Sequence, residues 1–253
     1  MKISVVTVCL NSERTIEHTI RSFLEQTHPD KEMVVIDGGS SDRTLDIVRA
    51  FKNDSIRIFS EPDRGIYDAM NKGLTLYSGD AVGFLNSDDR FHDSSALVSI
   101  AAGLAAADLV YGDLLFVTGH TAEQTVDTWK AGPYYRGCFR FGWLPPHPTF
   151  YIRRALADAV GPFDPSYGLS ADYDYMLRAM EVQTPRVSYL PRVLVDFMLG
   201  GKTTESVMRY ITGNLLCLRS RRRHLHAPPV DIALFLKPLR KIHQSWRWQR
   251  RAS

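Results

Sequence analysis

Apolar and polar positions change period several times along the first part of the chain. Ile3–Val8 is a β-branched run apart from Ser4, the pattern of a strand buried on both faces. After polar Asn11-Ser12-Glu13, the residues Ile16, Ile20, Phe23 and Leu24 recur at helical spacing. Met33–Ile36 predicts a second strand, and Leu45, Ile47, Val48 and Phe51 a second helix. Ile56–Phe59 reads as a third strand, Ile66–Leu76 as a short helix, and Ala81–Leu85 as a fourth strand. This β-α-β-α-β-α-β order implies an α/β fold with a mostly parallel central sheet covered by helices. Such sheets bind ligands at the carboxyl ends of their strands. The polar loops after Val8, Ile36 and Leu85 fall at those ends.

The second part is less regular. Leu109–Phe116 reads as a strand, and Gly132 to Pro148 as a loop rich in aromatics, glycine and proline. Ile152–Val160 and Ala171–Glu181 read as helices, and Val187–Leu190 and Leu194–Phe197 as two strands. Gly200-Gly201 breaks the chain before a helix from about Thr203 to Arg222. Pro228-Pro229 then separates a last amphipathic segment, Val230 to about Trp248. No internal repeat is visible.

Composition narrows the class. The chain has 253 residues, 44% hydrophobic and 23% charged, as expected of a soluble globular protein. Cys9, Cys138 and Cys217 are scattered and odd in number, which favours a reducing compartment over a disulfide framework. The start reads as a strand and not as a cleavable leader. The longest apolar stretch, around Leu97 to Ala107, falls short of the ~20 residues that cross a bilayer. The net charge of +3 hides an asymmetry: residues 219–253 hold ten Lys/Arg against one acid, leaving a body of 21 basic and 27 acidic residues. An acidic body argues against a nucleic-acid partner, and the basic tail points to an anionic surface.

Three clusters carry candidate chemistry. Asn86-Ser87-Asp88-Asp89 follows an apolar strand. Adjacent carboxylates are costly there unless solvated or neutralised by a cation, so Asp88 and Asp89 fit Mg²⁺ or Mn²⁺ against a diphosphate. They also fit the N-cap of a helix beginning near Phe91. Asp37-Gly38-Gly39-Ser40-Ser41-Asp42 offers Asp37 to a base or ribose and Asp42 to a helix cap, or is an ordinary turn. In Ser170-Ala171-Asp172-Tyr173-Asp174-Tyr175, apolar Tyr175, Met176 and Ala179 would pack inward. Asp172 is left in the first turn as a base, or as an acid favoured by the helix dipole. Arg64, Asp68, Asn71 and Lys72 face the same carboxyl edge, and His147 lies between two prolines.

Together these segments resemble the family 2 glycosyltransferases. Val6 to Asn11 and Val35 to Thr44 are similar to the family's opening. The segment Glu61-Pro62-Asp63-Arg64-Gly65-Ile66-Tyr67-Asp68-Ala69-Met70-Asn71-Lys72-Gly73 is similar to its bacterial polysaccharide and glycolipid branch. Gly83 to Asp89 resembles the metal segment. His147-Pro148-Thr149-Phe150 and Gly161 to Asp164 resemble the acceptor half, and Ala171 to Arg178 the segment of the base. The resemblance implies a GT-A type fold over residues 1–205, with about 1–115 binding a nucleotide-diphosphate sugar and about 116–205 the acceptor. Residues 206–253 would form a basic C-terminal helical tail. It further implies that Thr7, Asn11 and Asp37 line the nucleoside pocket, that Asp88 and Asp89 hold the metal, and that Asp172 is the general base of an inverting transfer. Asn86 stands where many members carry an acid, and Ala171 likewise precedes the base where an acid is common.

The tail adds a partner. Phe235, Leu236, Leu239, Ile242 and Trp246 recur at roughly helical spacing among Lys237, Arg240, Lys241, Arg247, Arg250 and Arg251. A basic amphipathic helix with tryptophans suits an anionic membrane face, or packs on the domain with its basic side solvated. The expectation is a cytoplasmic enzyme peripheral on the inner membrane face, with a glycan or lipid-linked acceptor. Rival readings are a sugar nucleotidyltransferase, a dinucleotide oxidoreductase and a non-catalytic membrane-docking scaffold. The first wants a Gly-rich basic loop after the first strand and the second Gly-x-Gly-x-x-Gly; Cys9-Leu10-Asn11-Ser12-Glu13 supplies neither.

Overall fold

Strand β1 (Ile3–Cys9) is buried along its whole length, Ser4 and Thr7 included, as a central strand covered on both faces requires. This computed structural model describes residues 1–118, 124–199 and 207–228 together with Ala233, with the backbone alone for 207–211. Helix α1 (Ile16–Leu24), β2 (Lys31–Asp37), α2 (Thr44–Ala50), β3 (Ile56–Ser60), α3 (Ile66–Leu76) and β4 (Ala81–Phe84) follow in turn. The four strands pair in parallel in the order β3-β2-β1-β4. Alternate residues of β1 serve opposite faces of the sheet. Val6 and Val8 join a core with Met70 of α3, while Ile3 and Val5 join one with Ile16, Ile20 and Phe23 of α1.

Beyond β4 the sheet becomes mixed. The later elements are β5 (Arg90–Phe91), α4 (Ala96–Ala106), β6 (Leu109–Thr118), β7 (Gln124–Trp129), β8 (Tyr151–Arg153), α5 (Arg154–Val160), α6 (Ala171–Leu177), β9 (Val187–Met198) and α7 (Val207–Leu225). Strand β8 lies antiparallel between β4 and β6, and β6 runs parallel to β9. Strands β5 and β7 close antiparallel on β9 and β6.

Several boundaries differ from the sequence reading. Asp88 and Asp89 do not cap a helix: the chain enters β5, and α4 begins only after Asp93 accepts the Ser95 N–H at 2.8 Å. Ile152 belongs to β8, because it pairs with Val82 and Leu109, so α5 starts two residues later. The expected helix over Ala171–Glu181 is α6 followed by a π turn, Arg178–Val182. The two strands expected around Pro191 are one strand, β9, whose register against β6 shifts beside Asp113. A proline that cannot donate to the ladder is tolerated at such an irregularity.

Helix α7 is docked on α6 through charge. Asp174, 1% exposed, accepts from Arg178 Nε at 2.8 Å, Ser220 Oγ at 2.8 Å and His224 Nε2 at 3.2 Å. Beside it the buried Arg221 donates to the Tyr173 hydroxyl at 3.0 Å. The start of the expected helix at Thr203, the division at residue 205 and the amphipathic segment Val230 to Trp248 lie outside the described residues, Ala233 apart. Among the described residues, no helix is long and apolar enough to cross a membrane.

Candidate active site

Two loops at the carboxyl edge of β1 and β2 are laced together. Asn11 adopts a left-handed backbone (φ 52°), which asparagine tolerates better than most residues. Its Oδ1 accepts the Ser41 N–H at 2.9 Å, and its own N–H donates to Ser40 Oγ at 2.8 Å. Asp37 is wholly buried and accepts from Gly39 N–H at 3.1 Å, Ser40 N–H at 3.0 Å, Ser40 Oγ at 2.5 Å and Ser60 Oγ at 2.7 Å. Burial alone would push its carboxyl up, but the Ser40 and Ser60 hydroxyls and those N–H groups outweigh it and hold the carboxyl low. Here Asp37 organises the loop from beneath. Thr7, within β1, is also buried, and its hydroxyl has no hydrogen-bond partner among the described residues.

The turn after β4 is braced on both sides. Ser87 Oγ meets Ser12 Oγ at 2.9 Å, joining it to the loop after β1. Asp89 accepts from Asn86 Nδ2 at 3.0 Å and from the Met198 N–H of β9 at 3.1 Å. Both of its oxygens are thus engaged, so Asp89 fixes the turn, and Asp88 is the carboxylate of the pair with a half-exposed side chain. Burial pushes the Asp88 carboxyl up; burial and the Asp88 charge push Asp89 up further. Asn86 Oδ1 is buried without a hydrogen-bond partner among the described residues.

These features fit a divalent cation, which would neutralise two crowded carboxylates. Among the described residues, no three His, Cys, Asp or Glu side chains converge to hold a metal unaided. The remaining positions would fall to phosphate oxygens and water, as Mg²⁺ prefers.

The base candidate lies at the opening of α6. Asp172 Oδ1 accepts the Tyr173 N–H at 2.7 Å. The Tyr67 hydroxyl, from the first turn of α3, donates to the Leu169 carbonyl at 3.3 Å, in the 3-10 turn that leads into α6. His147 Nε2 is buried with no hydrogen-bond partner among the described residues, although the residue is partly exposed. Burial pushes the imidazole down while the Asp172 charge pulls it up. His147 stacks on Phe84 of β4, with ring centroids 5.4 Å apart. Phe163 completes the floor, 5.2 Å from Phe84, 5.6 Å from Tyr67 and 4.3 Å from Tyr175. The end of β4 thereby connects the Asp88 turn to the surroundings of Asp172.

The polar residues of the α3 segment divide. Arg64 has a side chain 90% exposed and pairs with Asp68 at 3.1 Å. Lys72 is tethered by Glu61 at 2.9 Å and by the Pro62 carbonyl at 2.8 Å. The Asn71 amide donates to the Phe163 carbonyl at 3.0 Å and accepts the Phe163 N–H at 2.8 Å. It clips the two halves of the chain together. Tyr67, Phe84, Phe163, Ser12 and Ser87 were not singled out from the sequence. Tyr67 alone had a local signal, an aromatic hydroxyl at the start of a helix facing the carboxyl edge. Cavities of about 250 Å³ by Arg136, Glu181 and His224 and of about 370 Å³ by Val48, Lys52 and Ile58 contain none of Asp37, Asp88 or Asp172.

A parallel half with a carboxylate turn after its fourth strand, joined to a mixed half with an acid at the opening of a helix, is the GT-A arrangement of glycosyltransferases. The chain belongs to Glycosyl transferase family 2, whose pattern matches residues 4–162. It is 29% identical over 211 residues to a PGL/p-HBAD biosynthesis glycosyltransferase of Mycobacterium bovis, covering 81% of this chain and 80% of that one. Over 92 residues it is 38% identical to the putative teichuronic acid biosynthesis glycosyltransferase TuaG of Bacillus subtilis, 35% of this chain and 36% of that one. S. aureus TarS 1–349 in complex with UDP-GlcNAc superposes with a TM-score of 0.69 at 21% identity, over 92% of this chain and 69% of that one. The Pyrobaculum calidifontis mannosyltransferase PcManGT, in complex with GDP-Man and Mn²⁺, gives 0.66 at 17% identity, over 97% and 71%.

Proposed function

We propose that this glycosyltransferase transfers a sugar, with inversion, from a nucleotide-diphosphate donor to a hydroxyl of a glycan or lipid-linked acceptor in polysaccharide or glycolipid assembly. What supports the reading is an acid, Asp172, at the opening of α6, a helix packed on the turn that carries His147, with His147 stacked on Phe84 of the strand that leads into the Asp88 turn. The names of the relatives support the pathway class, and the donors in the structural neighbours support the donor class.

The chemistry follows from where charge develops. Asp172 takes the proton of the acceptor hydroxyl as that oxygen attacks the anomeric carbon, a role typically worth ~10²–10⁴-fold. His147 Nε2, without a hydrogen-bond partner among the described residues, is left for a hydrogen bond with a bound hydroxyl. Asp88 would hold Mg²⁺ or Mn²⁺, with Asp89 and Asn86 shaping the turn, and a cation held there would supply neutralisation of the charge on the departing nucleoside diphosphate. The bonds within the Asn11 and Asp37 loops keep the nucleoside end of the cleft in shape before the donor arrives, with Thr7 beneath and Arg64 reaching from the rim towards the phosphates. A direct displacement predicts that the first sugar released has the opposite anomeric configuration to the donor. Proton NMR of hydrolysis of UDP-GlcNAc or GDP-Man, read before mutarotation, shows the inverted anomer; the retained anomer would contradict a single displacement.

The basic C-terminal segment supplies the membrane part of the proposal, holding residues 1–205 at an anionic inner face. The full chain is expected to float with anionic liposomes and to lose that on removal of residues 228–253. Equal recovery of both forms in the soluble fraction would remove the membrane partner.

A further inference from the structure

Between Tyr134 and Trp143 the chain makes a turn that is pinned at both ends and in the middle. The Tyr134 hydroxyl donates to the Met180 carbonyl at 3.0 Å, and the Trp143 indole N–H to the Ala131 carbonyl at 2.8 Å. The middle is the 3-10 turn Cys138–Phe141, entered and left through the left-handed glycines Gly137 (φ 90°) and Gly142 (φ 74°). Cys138 and Phe139 are wholly buried, Phe139 against Trp143 and against Tyr173 of α6. Burying those two leaves their neighbours outside. Tyr135 is 57% and Phe141 43% exposed, and Arg136 and Arg140 are exposed beside them. A rigid turn therefore presents two aromatic rings and two guanidinium groups to solvent.

The two arginines line the cavity of about 250 Å³ together with Glu181, His224 and His226. The Arg140 guanidinium donates to the Leu225 carbonyl, which fixes it at the last turn of α7. Glu181, the one acid among the described residues of that lining, is buried and takes the Gly137 N–H on its two oxygens at 2.8 and 3.0 Å. The cavity thus carries an excess of positive charge, which suits a phosphate. The exposed Pro228 follows two residues after His226, and the basic segment continues from it in the sequence. We propose that Tyr135, Arg136, Arg140 and Phe141 form a second contact with an anionic lipid bilayer, the rings entering the headgroup region and the cavity lined by the arginines taking a lipid phosphate. Aromatic rings with a polar neighbourhood belong at such interfaces, and stable anchoring takes two signals where one gives only marginal, reversible binding. This inference rests on the membrane part of the proposed function and adds to it a contact made by the folded domain.

The test is binding of the full chain to vesicles of phosphatidylcholine and phosphatidylglycerol in equal parts, with phosphatidylcholine alone as the uncharged control. Arg136→Gln/Arg140→Gln is expected to weaken binding to the anionic vesicles by about tenfold or more, since each basic residue at such a surface contributes roughly fivefold. Tyr135→Ser/Phe141→Ser is expected to weaken it several-fold with the melting temperature unchanged, because both rings already meet solvent. Wild-type affinity in either double variant overturns the proposal. Where a pair lowers the melting temperature, Tyr135→Ser alone, at the more exposed ring, decides in the same way. If the unaltered chain ignores the anionic vesicles, the membrane reading fails and this proposal falls with it. If it binds them and the variants bind equally well, only the contact by the folded domain is lost. A dimer in sedimentation that Tyr135→Ser/Phe141→Ser dissolves, with vesicle binding intact, would assign the surface to a second copy of the chain and likewise overturn the proposal.

Discussion

Asp172→Asn is expected to lower sugar transfer by ~10²–10⁴-fold while leaving donor affinity and melting temperature close to those of the wild type. The substitution is nearly isosteric. The asparagine carbonyl can still accept the Tyr173 N–H that Asp172 now accepts at 2.7 Å, so the opening of α6 has no reason to move. What disappears is a group that can take a proton. Nucleoside diphosphate release measures the first quantity, calorimetry the second and thermal unfolding the third. An active Asp172→Asn enzyme would move the base elsewhere. A variant that lost donor affinity in parallel would make Asp172 a binding residue.

The second large effect belongs to Asp88. Asp88→Asn is expected to reduce metal-supported nucleotide affinity by about a hundredfold or more, since a bound cation supplies several kcal/mol of charge stabilisation. The same change should not destabilise the free protein. Burial already disfavours the Asp88 charge, and that charge in turn disfavours Asp89. Removing it relieves a repulsion without cutting a hydrogen bond of the turn, whose bracing runs through Asn86, Asp89 and Met198. Weaker nucleotide binding with an equal or higher melting temperature is therefore the expected pair of results. A large fall in melting temperature would instead make Asp88 part of the scaffold.

The sequence disclosed the first half of the fold because its signals are local. β1 is a largely apolar run interrupted only by Ser4 and Thr7, and α1 and α3 show helical periodicity that the structure keeps. The second half was less legible for identifiable reasons. β5 is two residues long and exists because Arg90 and Phe91 pair with Asp196 and Val195, more than a hundred positions away. β7, Gln124–Trp129, is polar enough to read as loop and is a strand because β6 offers it an edge. Ile152 joined a helical pattern in the sequence, but the space between β4 and β6 claims it for the sheet.

The candidate site divides in the same way. Asp37, Asp88 and Asp172 stood out because acids at strand or helix ends are visible in a linear reading. What each acid does depends on partners that are not. Asp37 is enclosed by Ser40 and Ser60, Asp89 is drawn to the Met198 N–H, and Asn71 is occupied by the Phe163 backbone. None of these pairings leaves a trace in residue spacing. The same holds for Asp174, which a linear reading placed only as an acid near a helix start. Its links to Ser220 and His224 make it the point where α7 is fastened to the domain.

Calorimetric titration of the whole chain with UDP and with GDP, each in Mn²⁺ and in EDTA, tests the central claim most directly. The account predicts that one of the two nucleotides binds in Mn²⁺ and that the affinity drops sharply in EDTA. Absence of binding to either nucleotide under both conditions would contradict it.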